Sequence, residues 1–206
     1  MAKKLPLKYW AIIILFVILF LDQLFKFYIK THYMLGEEFH VFGWKWFVIH
    51  FTENPGMAFG MQFGGNFGKL MLSLLRIVAI GAMIWYLIKI IKEKKPKGFV
   101  ICMSLIVAGA LGNLIDSAFY GLIFNESYYQ VAELFPDEGA YGSFLHGRVV
   151  DMLYFPMFSG QYPSWFPFVG GNDFLFFRPV FNLADSSITT GVIALLVFQK
   201  RYFKKG

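Results

Sequence analysis

Cysteine is nearly absent. Cys102 stands alone in 206 residues, which excludes an intrachain disulfide, and no CxxC or Cys/His spacing suited to a metal occurs. Charge is sparse too: charged residues make up 16% of the chain against 57% hydrophobic, with a mean hydropathy of +0.55. That balance excludes an ordinary soluble domain. There is no HExxH pattern among His32, His40, His50 and His146, and no GxSxG nucleophile turn. Gly64-Gly-Asn-Phe-Gly68 lacks the Lys-Ser/Thr of a phosphate loop, and no internal repeat or low-complexity tract is visible. The residues therefore call for no metal or cofactor. Cys102 reads as a small apolar residue, and each histidine as a surface or interface residue.

What is present is long apolar sequence. Four stretches, about 9–29, 70–91, 99–115 and 180–198, are candidates to span a bilayer. The third is short and the second contains Arg76. The first follows lysines as a signal peptide would, but no small-residue cleavage site ends it, so it reads as an uncleaved transmembrane helix. Twelve of the 19 basic residues lie before the first stretch, around the 89–98 link or after the fourth. The positive-inside rule places both termini and that link in the cytoplasm. Segments of about 30–69 and 116–179 then face outward. Topology accounts for the net charge of +6, so no nucleic-acid partner is needed. The expected fold is an α-helical membrane protein, a single domain over residues 1–206. It has four transmembrane helices, a small periplasmic β-rich element and an interfacial helix or loop. Residues 39–52 read as strand with a turn at Gly43. Aromatics clustered in 128–177 suit either an outer-leaflet surface or a small extracellular core.

Three aspartates, Asp116, Asp151 and Asp185, sit inside or beside these apolar segments. A carboxylate at bilayer depth costs about 2.5–3.5 kcal/mol, which marks it for function. Asn113-Leu-Ile-Asp116 and Asn182-Leu-Ala-Asp185 share a spacing that puts amide and acid on one helix face. Gly109 and Gly112, just ahead of the first pair, permit close helix approach. Asp185 at the start of the last span also suits a helix cap. Asp151 lies in the apolar run Gly147-Arg-Val-Val-Asp-Met-Leu-Tyr-Phe155. Two converging carboxyls would share a proton and titrate as a coupled pair, the chemistry of aspartic proteases. The residues alone do not choose between Asp151 with Asp185 and Asp116 with Asp185.

Asp22 precedes Lys26 by four residues, the favourable orientation for a helical ion pair, and reads as a tether at the outer end of the first span. Phe51-Thr-Glu-Asn-Pro-Gly-Met-Ala-Phe-Gly60 is a polar turn whose Asn54 and Gly56 could meet a peptide backbone, although an ordinary turn has the same pattern. Asn125-Glu-Ser127 matches a glycosylation sequon and carries little weight.

Taken in order, DQLFK (22–26), FTENPGMAFG (51–60), GALGNLID (109–116), GRVVDMLYF (147–155) and FNLADSSI (181–188) resemble the lipoprotein signal peptidases, or signal peptidase II. The likeness runs from residue 9 to residue 198. It implies an aspartic endopeptidase of the bacterial inner membrane, acting on its periplasmic side. Such an enzyme cleaves diacylglyceryl-modified prolipoproteins just before the lipidated cysteine. The same resemblance implies Asp151 and Asp185 as the catalytic dyad, with Asn54, Gly56, Asn113, Asp116 and Asn182 around the site and Asp22 in support. It also implies inhibition by the cyclic peptide globomycin, contact with membrane lipid and a monomeric state.

Two departures stand out. The family commonly carries Arg where this chain has Ser117, and Arg148, immediately before Val-Val-Asp151, is a candidate substitute. Residues 118–146 form an insertion that reads as a lid, a specificity element or a passive surface loop. Two rival functions remain open at this level: a proton-coupled carrier, against which the acids cluster towards one face, and a non-catalytic assembly factor.

Overall fold

The computed structural model describes residues 5–55, 65–156, 158–176 and 179–202. Three helices are long and apolar enough to cross a membrane: α1 (Leu7–His32), α2 (Gly65–Lys92) and α3 (Lys97–Ile115). Proline precedes α1 and α3, at Pro6 and Pro96, where its missing N–H costs no helical bond. α3 does not stop at residue 115. It widens into a π turn over Asp116–Tyr120 and runs on through α4 (Gly121–Ile123). A π turn of this kind is uncommon and often marks a functional site. A fourth apolar helix, α5 (Leu183–Val197), is shorter at 15 residues and is followed by α6 (Gln199–Tyr202). The stretch read as a span from residue 180 therefore begins as strand and turns helical at Leu183, because Asn182 caps the helix there.

α3 is the central helix and packs on α1, α2 and α5. Its small residues make this possible. A Cβ on Gly109 would collide with the Ala184 carbonyl of α5, and one on Gly112 would lie 2.7 Å from Asp22 Oδ2 of α1. The close approach expected from those glycines is therefore present. Outward-facing residues such as Phe16, Leu75, Val78 and Val197 leave large apolar side chains exposed, as a lipid-facing surface requires.

Over one end of the helices lies a four-stranded antiparallel sheet in the order β1-β2-β3-β6, made of β1 (Glu38–His40), β2 (Val48–Asn54), β3 (Val149–Tyr154) and β6 (Val180–Phe181). The strand expected over 39–52 is thus two strands, joined through a turn where Phe42 and Gly43 both take positive φ. A separate hairpin pairs β4 (Phe158–Gln161) with β5 (Asp173–Phe176). Trp165 and Phe168 are exposed between those strands, whereas Tyr120, Phe124, Phe51 and Ile29 build a core beneath the main sheet. Within the aromatic segment itself Tyr128, Tyr129, Trp165, Phe166 and Phe168 are exposed.

β3 is buried on both faces from Val149 to Met152. Alternation along the strand places Val150 and Met152 in the core below the sheet. It therefore turns Asp151 to the opposite side, towards the head of α5.

Candidate active site

Asn182 is the hinge of the site. It is the N-cap of α5, and its Oδ1 accepts from the Asp185 backbone N–H at 2.9 Å while its own N–H donates to Asp185 Oδ2 at 3.3 Å. This reciprocal arrangement is a capping box, with the N3 acid aimed back at the cap. The Nδ2 of Asn182 donates in turn to Asp151 Oδ1 at 2.7 Å and to Asn113 Oδ1 at 3.0 Å. One residue thus bridges the carboxyl of β3 to the carboxyl of α5. Asn113, from α3, completes the ring by donating from Nδ2 to Asp185 Oδ1 at 2.7 Å.

Below this ring lies a buried ionic cluster. Lys26 Nζ meets Asp22 Oδ2 and Asp116 Oδ2, each at 2.8 Å, and donates to Asn113 Oδ1 at 3.0 Å. All three of its donors are used. The remaining oxygens are held as well: Asp22 Oδ1 accepts from the Ala184 N–H at 2.8 Å, and Asp116 Oδ1 from Gln23 Nε2 at 2.9 Å. The Val150 N–H also donates to Asp116 Oδ2, at 3.2 Å. Every carboxyl oxygen of Asp22 and Asp116 thus has a donor, an arrangement that pins α1, α3, α5 and β3 together.

Asp151 is in a different situation. It is 5% exposed, and burial, followed by the charge of Asp185, pushes its carboxyl up to about 7. Lys26 and the Asn182 bond act in the other direction without cancelling these effects. Asp151 and Asp185 thus interact, and Asp151 holds a proton more readily than a free carboxyl. The arrangement can activate a water and protonate a carbonyl oxygen. Among the described residues, no three His, Cys, Asp or Glu side chains gather as a metal-holding group.

A family model described as signal peptidase (SPase) II matches residues 14–200. The chain belongs to the signal peptidase II family. Over 200 residues it is 50% identical to the lipoprotein signal peptidase of Porphyromonas gingivalis, covering 97% of this chain and 86% of that one. With the lipoprotein signal peptidase of Amoebophilus asiaticus the identity is 39% over 204 residues, or 98% and 80% of the two chains. A solved bacterial membrane enzyme superposes with a TM-score of 0.62 at 25% identity, covering 95% of this chain and 91% of the other. The chain is thus a multi-pass membrane aspartic protease of the signal peptidase II type.

The structure brings together Asp22, Asn113, Asp116, Asp151, Asn182 and Asp185 as one connected network. Asn54 ends β2 opposite Val149, two residues beyond the Thr52–Asp151 pair, and Gly56 lies outside the described residues. Arg148 is not the substitute expected for the missing Arg at 117. Its guanidinium donates to Glu53 Oε2 at 3.0 Å and to both Glu126 oxygens, at 2.6 and 2.9 Å, and lies over the Tyr141 ring. It lies three positions before Asp151, and an odd offset in extended chain points side chains to opposite faces.

Those bonds also show what the insertion does at its root. Glu126 and Tyr141 clamp it to Arg148, since Tyr141 Oη accepts from the Arg148 N–H at 2.8 Å. Bridges pair Met34 with Val131 and Phe124 with Leu134. Beside it, Lys30 and Glu53 form a buried ion pair that Ser127 joins through 2.8 Å bonds to both. Burial works to raise Glu53, but Lys30 and the surrounding donors hold its carboxyl below the usual range. Gln23, Lys30 and Glu53 were not marked by any motif spacing. The available signal was Asp22, Lys26 and Lys30 recurring every four residues along one face of an apolar helix.

Proposed function

We propose that Asp151 and Asp185 are the catalytic pair with which this signal peptidase II removes signal peptides from prolipoproteins. The observation that carries the assignment is the Asn182 bridge, which joins these two carboxyls while Asp22 and Asp116 are paired with Lys26. One acid of the pair is ionised and takes a proton from water as its oxygen attacks the scissile carbonyl carbon. The other gives its proton to the carbonyl oxygen, forming a neutral diol. Collapse of the diol returns a proton to the second acid, transfers one to the amide nitrogen and breaks the C–N bond.

The substrate is diacylglyceryl-modified, and the cut falls just before the lipidated cysteine. Asp185 lies in the first turn of α5 and Asp151 on the strand that covers it, so the diacylglyceryl tails remain in lipid while the scissile bond reaches the pair. We assign α5 as a fourth span, with both termini on the cytoplasmic side of the inner membrane, because the basic residues gather at those ends. The site is then periplasmic. The chain acts as one domain and as a monomer, and globomycin occupies the same site.

Cleavage of a purified diacylglyceryl-modified prolipoprotein by wild type, Asp151→Asn and Asp185→Asn tests the pair. Each folded variant is expected to lose at least about 10³-fold in rate. Full activity in either one removes it from the catalytic pair.

A further inference from the structure

Arg76 is a full positive charge well inside α2, between Leu75 and Ile77, where a cation costs about 2.5–3.5 kcal/mol. It does not face lipid with its neighbours. α2 carries a polar stripe at i, i+4 and i+7, formed by Lys69, Ser73 and Arg76, and all three members reach towards the site. Lys69 Nζ donates to the His146 carbonyl at 2.5 Å, Ser73 Oγ to the Leu145 carbonyl at 3.1 Å and Arg76 Nη1 to Ser117 Oγ at 3.4 Å. Ser117 is itself fixed by a 3.0 Å bond from its Oγ to the Asn113 carbonyl. The guanidinium is thus held one residue from Asp116 and one helical turn from Asn113, the residue that donates to Asp185. Asp185 is also the acid whose charge acts on Arg76.

The two acids of the pair therefore have unequal surroundings. Asp185 receives Asn113 Nδ2 and the Asn182 N–H at the positive end of α5, and lies within range of the guanidinium's charge. Asp151 receives Asn182 Nδ2 and lies between Val150 and Met152 in a doubly covered strand. The other charged groups packed against α5 are Asp22 and Lys26 from α1, and Asp116 from α3. These three are bonded to one another. Environments that differ in this way separate the roles of paired carboxyls.

We propose that Arg76 is a positioning residue that fixes the negative charge of the catalytic pair on Asp185 and so leaves the shared proton on Asp151. Resting on the dyad assignment above, this settles the division of labour. Asp185 takes the proton from the attacking water, and Asp151 gives its proton to the carbonyl oxygen. Arg76 touches neither reacting atom and acts through Asp185. It reaches the site from a different helix, and Ser117, the position that departs from the family pattern, is its docking point.

The test is the pH dependence of kcat/KM for a diacylglyceryl-modified prolipoprotein, from about pH 4 to about pH 9. Arg76→Gln is expected to move the acid limb up by about one pH unit or more, the effect of losing a nearby opposite charge. Arg76→Lys is expected to keep the limb near its wild-type place. Arg76→Gln combined with Ser117→Arg is expected to restore it. A merely structural arginine would lower the rate without moving the limb, so a folded Arg76→Gln enzyme with an unmoved limb overturns the proposal. Should Arg76→Gln fail to fold, Arg76→Met is measured in its place: a limb moved up supports the proposal and an unmoved one overturns it. Asp151→Asn and Asp185→Asn, measured alongside, separate the two readings. If either retains full activity the dyad falls and the Arg76 role with it. If both are inactive and the limb is unmoved, only the Arg76 role falls.

Discussion

At the scale of the residue, Asp151 is the group whose surroundings make a pH-dependent claim. Its carboxyl is pushed from 3.8 to about 7 by burial and by the charge of Asp185. With Asp151 as proton donor, activity is expected to fall as pH rises through about 7, seen as the alkaline limb of the kcat/KM profile. Stability follows the same group. Between 3.8 and about 7 the folded chain holds a proton that the unfolded chain has released, so stability declines as pH rises across that window and the cost is complete above it. Asp151→Asn keeps the acceptor for Asn182 and removes the cost. Its thermal midpoint in detergent is expected to exceed the wild type's by a few degrees at about pH 8, and to match it near pH 4. An equal midpoint at both values would contradict the burial argument. The acids and amides of this site were legible in the chain because Asn113 with Asp116, and Asn182 with Asp185, each repeat one helical spacing. Arg148 was misread because proximity in sequence to Asp151 was taken for proximity in space, whereas strand alternation separates the two. Lys30 and Glu53 were missed because the pairing spans two elements with no shared local pattern.

At the scale of the element, the site depends on how near α3 comes to α5. Gly109 meets the Ala184 carbonyl, which is backbone and cannot swing aside as a side chain would. Gly109→Ala must therefore push the helices apart, and four residues further along the same helix Asn113 would be drawn away from Asp185. The expected loss is about 1–3 kcal/mol of stability, as for overpacking elsewhere, with a fall in cleavage rate exceeding what the unfolded fraction explains. Thermal unfolding in detergent and kcat on the folded fraction would separate the two effects. Composition alone gave the three long helices, because their length and apolarity are local properties. It misplaced the start of α5 because residues 180–181 are as apolar as the helix that follows. Only their pairing with Leu153 and Tyr154 makes them strand. It also ended α3 too early, since the π turn over Asp116–Tyr120 is stabilised by the sheet and the insertion packed around it, through bonds such as Gly147 N–H to the Ser117 carbonyl.

At the scale of the whole molecule, the helices are unequal. α1 has 26 residues and α2 has 28, whereas α5 has 15, a rise of roughly 22 Å against a hydrocarbon thickness of about 30 Å. Basic residues follow its C-terminal end at Lys200 and Arg201, and the capping box closes its N-terminal end. Reconstituted in vesicles of stepped acyl-chain length, the enzyme is expected to work fastest in the shorter-chain lipids and to slow as the bilayer thickens. A rate independent of chain length would argue against α5 as a full span. The capped head of α5 thus has a mechanical consequence. With α5 as the proposed fourth span, the short helix would draw the bilayer surface inward beside Asp185, and the membrane would be dimpled at the proposed cleavage place. A lipid-anchored peptide enters such a dip without being lifted out of its leaflet, and hydrophobic mismatch becomes part of substrate delivery.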